Sequence, residues 1–543
     1  MIRRAALLAV LWSACLARAE EPKQLWLYYP VNMLVEKNVD RAQEIWGRAA
    51  KAGYTHVLIT DSKFSRLADM DARYFKNVER VKGIAKDLKL TLVPAMFSVG
   101  YSNDLLSRDP NLAEGLPVRD ALFVVKDNVA TLESDPAPAL KAKWSSIDDE
   151  VKLAGGVATV ADNKNNARLI QKLSLKPFRH HHISVQVKTD KYTGKPEVKV
   201  LASNPKGDQP NQESLRIPTT LNWTEIKAKP TQDWTTHHVT FNTLGHADVN
   251  VYLGVWSKAT GTLQWRDWKI EEVGLLNVLR RQGTPIAVKD DATGKELTEG
   301  KDFEPIKDPK SGMVPYAGEY EVFHASPPIK TKGLADGTRL RVSWYHPHMI
   351  YDHQVCACPS DPKMPEILTD QATRMKKLWN DVAGGWMMNH DEIRSLGTDA
   401  ACLATGKTPG QILADNAKFC ASLLAETNKP IYVWNDMFDP HHNAVPGPYY
   451  LVNGPFTDAW EGLDKSVIIM NWNNGKRDKS LPFFADRGHR QVIAGYYDAK
   501  PEKVNNWLDS AAKVKGVEGV MYTTWRNDYS NIERFAELVK AHK

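Results

Sequence analysis

At 543 residues the chain is longer than one ordinary hydrophobic core accommodates, so two or three domains are expected. Its 71 basic and 65 acidic side chains leave a net charge of only +6, with no basic block and no run of interleaved aromatics, which argues against a nucleic-acid partner. Five cysteines are too few for a disulfide scaffold, and beyond the N-terminus no run approaches the roughly 18 apolar residues of a membrane span.

The chain begins MIRRAALLAVLWSACLARAEEP. Arg3 and Arg4 precede an apolar run from Ala5 to Leu16, and Ala17-Arg18-Ala19 precedes Glu20-Glu21. This is the pattern of a signal peptide over 1–19, cut after Ala19, so a secreted or periplasmic protein is expected. Four cysteines would then remain, Cys356, Cys358, Cys402 and Cys420.

From residue 20 to 103 short apolar runs alternate with helical patterns: QLWLYYP then DRAQEIWGRAAKAG, THVLITDS then YFKNVERVKGIAKDL, and TLVPAMFSVG. The alternation resumes in GGWMMNHDE, IYVWNDMF, SVIIMNW, QVIAGYYD and VEGVMYTTW, within a second segment taken as 336–543. Continuous apolar runs followed by amphipathic helices predict parallel strands covered on both faces. Three strands before an interruption and five after it fit an α/β (β/α)8 TIM barrel interrupted after strand 3. A ninth run, RLRVSWYHP at 339–347, is read as an extension of strand 3 or a piece of the insertion, the alternative being a true barrel strand.

Between 104 and 277 the texture changes to HISVQVKTD, EVKVLASN, HHVTFNTLG and VNVYLGVW. Period-two alternation with Gly, Asn and Asp punctuation predicts an antiparallel β-sandwich. The closing part resembles a jelly-roll carbohydrate-binding module. Residues 278–335 read as a β-rich linker back to the barrel.

A TIM barrel carries its chemistry at the C-terminal ends of its strands. Those positions hold Asp61, then Asp391 and Glu392, Trp434 and Asp436, Trp472, Tyr496 and Asp498, and Trp525 with Asp528. A lone strand-end Asp is commonly a helix N-cap, but a succession of aromatics and acids suits a carbohydrate substrate. The 17 tryptophans and 18 tyrosines agree with that reading, although core packing is their commonest use.

The adjacent acids of "NHDEIRS" narrow the chemistry. A retaining glycosidase with two protein carboxylates needs them about 5 Å apart across the anomeric carbon, and an inverting one needs more. Sequence neighbours approach from one strand end, so a working Asp391–Glu392 pair requires a nucleophile from the substrate, such as a 2-acetamido carbonyl. The order Asp391-Glu392, Trp434, Trp472, Tyr496-Tyr497-Asp498, Trp525 and Asp528 resembles the family 20 glycoside hydrolases, the β-N-acetylhexosaminidases. Met388-Asn389-His390 stands before the pair where that family carries glycines.

The resemblance implies Glu392 as general acid/base, Asp391 on the acetamido nitrogen and Tyr496 on the acetamido oxygen. It implies that Trp434, Trp472 and Trp525 wall the pocket and that Asp498 binds hydroxyls. Asp61, Asp436, Asp528 and Arg394 are further candidates for substrate contacts, although an exposed helix-start residue is the favoured reading of Arg394. A general acid at Glu392 has to hold its proton near neutral pH, which the charge of Asp391 would favour.

No cofactor and no metal are expected: His346, His348, His353, Cys356 and Cys358 match no zinc spacing. The expected function is a secreted glycoside hydrolase removing 2-acetamido-2-deoxy-β-hexosides. The alternatives are a retaining glycosidase with a protein nucleophile, Glu392 paired with Asp436 or Asp498, and a non-catalytic secreted carbohydrate-binding protein.

Overall fold

The computed structural model describes residues 24–133, 146–202, 220–351, 353–447 and 449–542. The signal peptide expected over 1–19 lies outside them.

Eight parallel strands close into a barrel in chain order. They are β1 (Gln24–Pro30), β2 (His56–Thr60), β3 (Thr91–Met96), β4 (Trp386–Met388), β5 (Ile431–Trp434), β6 (Ile468–Asn471), β7 (Gln491–Ala494) and β8 (Val517–Tyr522). Closure is made where Gln24 to Leu27 of β1 pair with Gly519 to Tyr522 of β8. The strands are continuously apolar because both faces are covered. Trp26, Tyr28, Leu58, Val93, Met387, Trp434, Met470 and Met521 fill the barrel interior. Leu27, Val57, Leu92 and Ile469 face the surrounding helices.

Those helices are α1 (Glu36–Ala52), α2 (Ala72–Asp87), α3 (Met364–Trp379), α4 (Pro409–Ala425), α5 (Arg477–Asp486), α6 (Val504–Ala511) and α7 (Ile532–Ala541). Their ends obey local chemistry. Asp71 accepts the Tyr74 N–H at the start of α2, and Thr408 forms a capping box with Gln411 at the start of α4. No helix among the described residues is long and apolar enough to cross a membrane.

After β3 the chain leaves the barrel. Two five-stranded antiparallel sheets, drawn from strands between residues 146 and 272, enclose a core of Ile183, Val200, Phe241, Val251, Leu263 and Trp265. This is the expected sandwich, but it does not fill 104–277. Leu116–Lys126 and Val129–Leu132 belong to a separate six-stranded sheet with Ala287–Asp290 and Arg339–His346.

Within that sheet Arg339–His346 runs antiparallel to Leu116–Lys126, Leu340 facing Phe123 and Trp344 facing Val118. The ninth strand-like run is therefore part of the insertion. The sandwich packs on this sheet through the His180 ring stacked 3.6 Å over His346 and through Asn242 Nδ2, 3.0 Å from His346 Nε2. These histidines are buried packing groups, and burial holds His346 at about 4.

Candidate active site

β4 ends at Met388, and the turn after it determines where the acids point. His390 is buried with its Nε2 2.9 Å from Asn416 Oδ1 on α4, so it turns away from the barrel mouth. Glu392 then adopts φ +47°, a left-handed conformation uncommon outside glycine. This break in extended geometry ends the strand alternation, and both carboxyls face one site. Asp391, Glu392 and Asp436 all interact electrostatically.

The turn is over-determined. Gln354 Nε2 donates to the carbonyls of Gly100 and Glu392, at 2.8 Å each, and the Glu392 N–H donates to Asp436 Oδ2 at 2.9 Å. Gly100, past the end of β3, lies directly beneath the pair: a Cβ there would overlap the Asp391 carbonyl oxygen. Strain of the order of 1–3 kcal/mol at a non-glycine left-handed residue persists only where the surroundings hold it, and it clusters at functional sites.

The three acids differ in environment. Burial and the Glu392 charge push the Asp391 carboxyl up to about 7. Asp436 is fully buried, and desolvation together with Asp391 raises it well above the usual carboxylate range. Glu392 instead meets Arg394 Nη2 at 2.8 Å and accepts from the Tyr101 hydroxyl. A carboxyl raised this far at Asp391 holds a proton through part of the neutral range in the free protein.

Arg394 is no exposed helix-start residue. It is 2% exposed, no helix begins there, and Ser395–Leu396 pairs with Leu451–Val452 instead. Its guanidinium lies 4.6 Å from the Tyr351 ring centre and 5.3 Å from that of Tyr450, and it donates to Gln354 Oε1. It orients Glu392.

The rim is aromatic. Trp434 lies at the top of the barrel interior, its ring 6.5 Å from Tyr28 and 6.3 Å from Trp525. Trp525 is 44% exposed, and Tyr497 is 49% exposed and stacked parallel to Trp472 at 6.0 Å. Asp498 holds this wall: its carboxylate accepts from the Trp525 N–H at 2.7 Å and the Thr524 hydroxyl at 2.5 Å. The sandwich also reaches the mouth, where the Trp223 ring lies 5.3 Å from Tyr351.

Other candidates fall elsewhere. Tyr496 is buried in the shell between barrel and helices, stacked 4.1 Å from Tyr522 and edge-on to Phe535 of α7. Neighbouring residues point to opposite sides, and it is Tyr497 that faces the mouth. Asp61 is consumed structurally, accepting from the N–H groups of Met33 and Lys63 at 3.0 Å and from the Tyr74 hydroxyl at 3.2 Å. Asp528 is exposed and caps a turn through the Ser530 N–H at 2.9 Å. Tyr101 and Gln354 complete the acid site, and nothing in their local sequence marks Gln354 as a partner of Glu392.

No protein-family model and no curated protein sequence matches this chain. Among solved structures, a β-N-acetylhexosaminidase is 8% identical with a TM-score of 0.39, over 95% of this chain and 72% of its own. A glycoside hydrolase family 20 β-N-acetylglucosaminidase is 8% identical at 0.37, over 96% and 69%. A rhamnosidase from Novosphingobium sp. PP1Y is 11% identical at 0.31, and this chain spans 58% of its length. These structures are similar to the chain at a level that leaves function to be read from the site itself.

Proposed function

We propose that the protein is an exported glycoside hydrolase that removes 2-acetamido-2-deoxy-β-hexosides with the substrate's own acetamido oxygen as nucleophile. The observation that carries this reading is the Asp391–Glu392 turn, which delivers two adjacent carboxyls, one raised by burial and one paired with Arg394, to one aromatic-walled barrel mouth. Trp434, Trp472, Tyr497 and Trp525 offer apolar faces to a sugar ring.

The proton inventory supplies a mechanism. An acetamido N–H arriving at Asp391 favours the ionised form of that group. The proton shared by the pair then passes to Glu392. The acetamido oxygen bonds to the anomeric carbon as the glycosidic bond breaks, and Glu392 gives its proton to the leaving oxygen. Asp391 holds the N–H of the oxazolinium. Water, deprotonated by Glu392, then opens that ring at the anomeric carbon with net retention.

The Arg394 ion pair favours one competing reading. A carboxylate oriented by a guanidinium also suits a protein nucleophile, with the buried Asp436, raised well above the usual carboxylate range, as its acid. Inhibitors separate the two. A thiazoline mimic of the oxazolinium is expected to inhibit in competition with substrate. Accumulation of a covalent 2-fluoroglycosyl adduct on Glu392 would replace substrate assistance by the protein-nucleophile mechanism.

A further inference from the structure

Away from the barrel mouth, four side chains from distant parts of the chain converge in the interior. Glu114 lies between the end of β3 and the insertion, Cys358 on the return from it, and Asp399 and Cys402 on the segment after the acid pair. All four are at most 1% exposed, and one ligand atom from each lies within 4.8 Å of every other. The sulfurs of Cys358 and Cys402 are 3.5 Å apart. Cys402 Sγ is 3.3 Å from Glu114 Oε2, and Cys358 Sγ is 3.6 Å from Asp399 Oδ1.

We propose that Glu114, Cys358, Asp399 and Cys402 form a structural site for a zinc-class divalent cation. Tetrahedral ligands at about 2.3 Å for sulfur and 2.0 Å for oxygen stand roughly 3.5 Å from one another, close to the separations found here. Two thiolates with two carboxylates suit a borderline-soft ion better than calcium or magnesium, which take oxygen ligands.

The surroundings fix the carboxylates as a second ring of partners does around a metal. Glu114 Oε1 accepts from the Thr398 N–H at 2.7 Å and its hydroxyl at 3.0 Å, leaving Oε2 toward the sulfurs. Asp399 Oδ2 is ion-paired with the buried Arg281, which also meets Asp361 at 3.1 Å. Asp399 Oδ1 accepts the Cys402 N–H at 3.0 Å.

Charge points the same way. One arginine cannot offset four ligand anions in the interior, whereas a dication can. Bound there, it would tie both ends of the insertion to the segment after the catalytic turn. The other two buried cysteines stand apart: Cys356 Sγ is directed to the Gly100 carbonyl and Cys420 Sγ to Asn416 Oδ1.

The test is metal analysis of the purified full chain, expressed with zinc in the medium and kept free of reductant. About one zinc per chain is expected by elemental analysis and native mass. Peptide mass spectrometry after alkylation in denaturant with chelator should find Cys358 and Cys402 both as free thiols. Chelator is expected to lower Tm by several degrees, and Cys402→Ala to abolish zinc while Cys420→Ala retains it. Zinc-free protein overturns the proposal, whether its Cys358 and Cys402 are joined in a disulfide or both free.

Discussion

Arg394 and Glu392 meet at 2.8 Å beneath the Tyr351 and Tyr450 rings, an ion pair of which only the carboxylate side is open to the barrel mouth. Removing the cation leaves Glu392 without its orienting partner. Arg394→Leu is expected to lower kcat by roughly 10- to 100-fold, the scale of misplaced general acid–base catalysis. Arg394→Lys should recover only part of this, because a point charge cannot span Glu392, Gln354 and Tyr101 as the guanidinium fork does. Steady-state kinetics of both variants check the ranking.

Asp391 carries a stability consequence of its displaced titration. Its folded value near 7 lies above the unfolded value of 3.8, so the folded state binds the extra proton between those limits. The cost to stability is therefore absent below about pH 4, grows as pH rises and is complete above about pH 7. Asp391→Asn removes the titration, so it should raise Tm relative to wild type at pH 8 and change it little at pH 4. Allowing for partial solvent access, the gain is about 1–3 kcal/mol. Thermal unfolding at the two pH values checks the sign; a larger gain at pH 4 would contradict it.

Tyr497 and Tyr496 differ by one residue and by the side of the barrel they serve. Tyr497→Ala should raise KM at least about tenfold through loss of a stacking face, while Tyr496→Phe leaves kcat and KM within about twofold. Comparable kinetic losses in the two variants would place the mouth differently.

Gly100 has no room for a side chain beneath the acid pair. Gly100→Ala is expected to reduce turnover by about a hundredfold or more by displacing the Asp391–Glu392 peptide. Far-UV circular dichroism should remain that of the wild type, since the barrel strands are untouched.

The barrel was legible because strands buried on both faces read as continuous apolar runs, and all eight appear in the expected order. The third sheet was not. Leu116–Lys126 alternates much as sandwich strands do, and its partner Arg339–His346 lies on the far side of the sandwich in sequence. Periodicity reports the face a residue occupies and is silent about the strand that pairs with it. At the site, the acids and three tryptophans were visible as strand-end residues. Tyr496 lies in the buried shell and Tyr497 beside Trp472, since a one-residue step flips the face. Gln354 and the Glu114–Cys358–Asp399–Cys402 cluster carry no spacing signature, since each is assembled by the return of the insertion.

The proposed substrate assistance would make the acetamido group part of the catalytic machinery. The most direct measurement is kcat/KM on matched aryl β-glycosides with a 2-acetamido or a 2-hydroxyl group, for wild type and Glu392→Gln. Wild type is expected to turn over the acetamido glycosides at least about a hundredfold faster, and Glu392→Gln to lose at least about a hundredfold on them. Equal wild-type turnover of the two sugars, or near-normal turnover by Glu392→Gln, would contradict an acetamido nucleophile assisted by this pair.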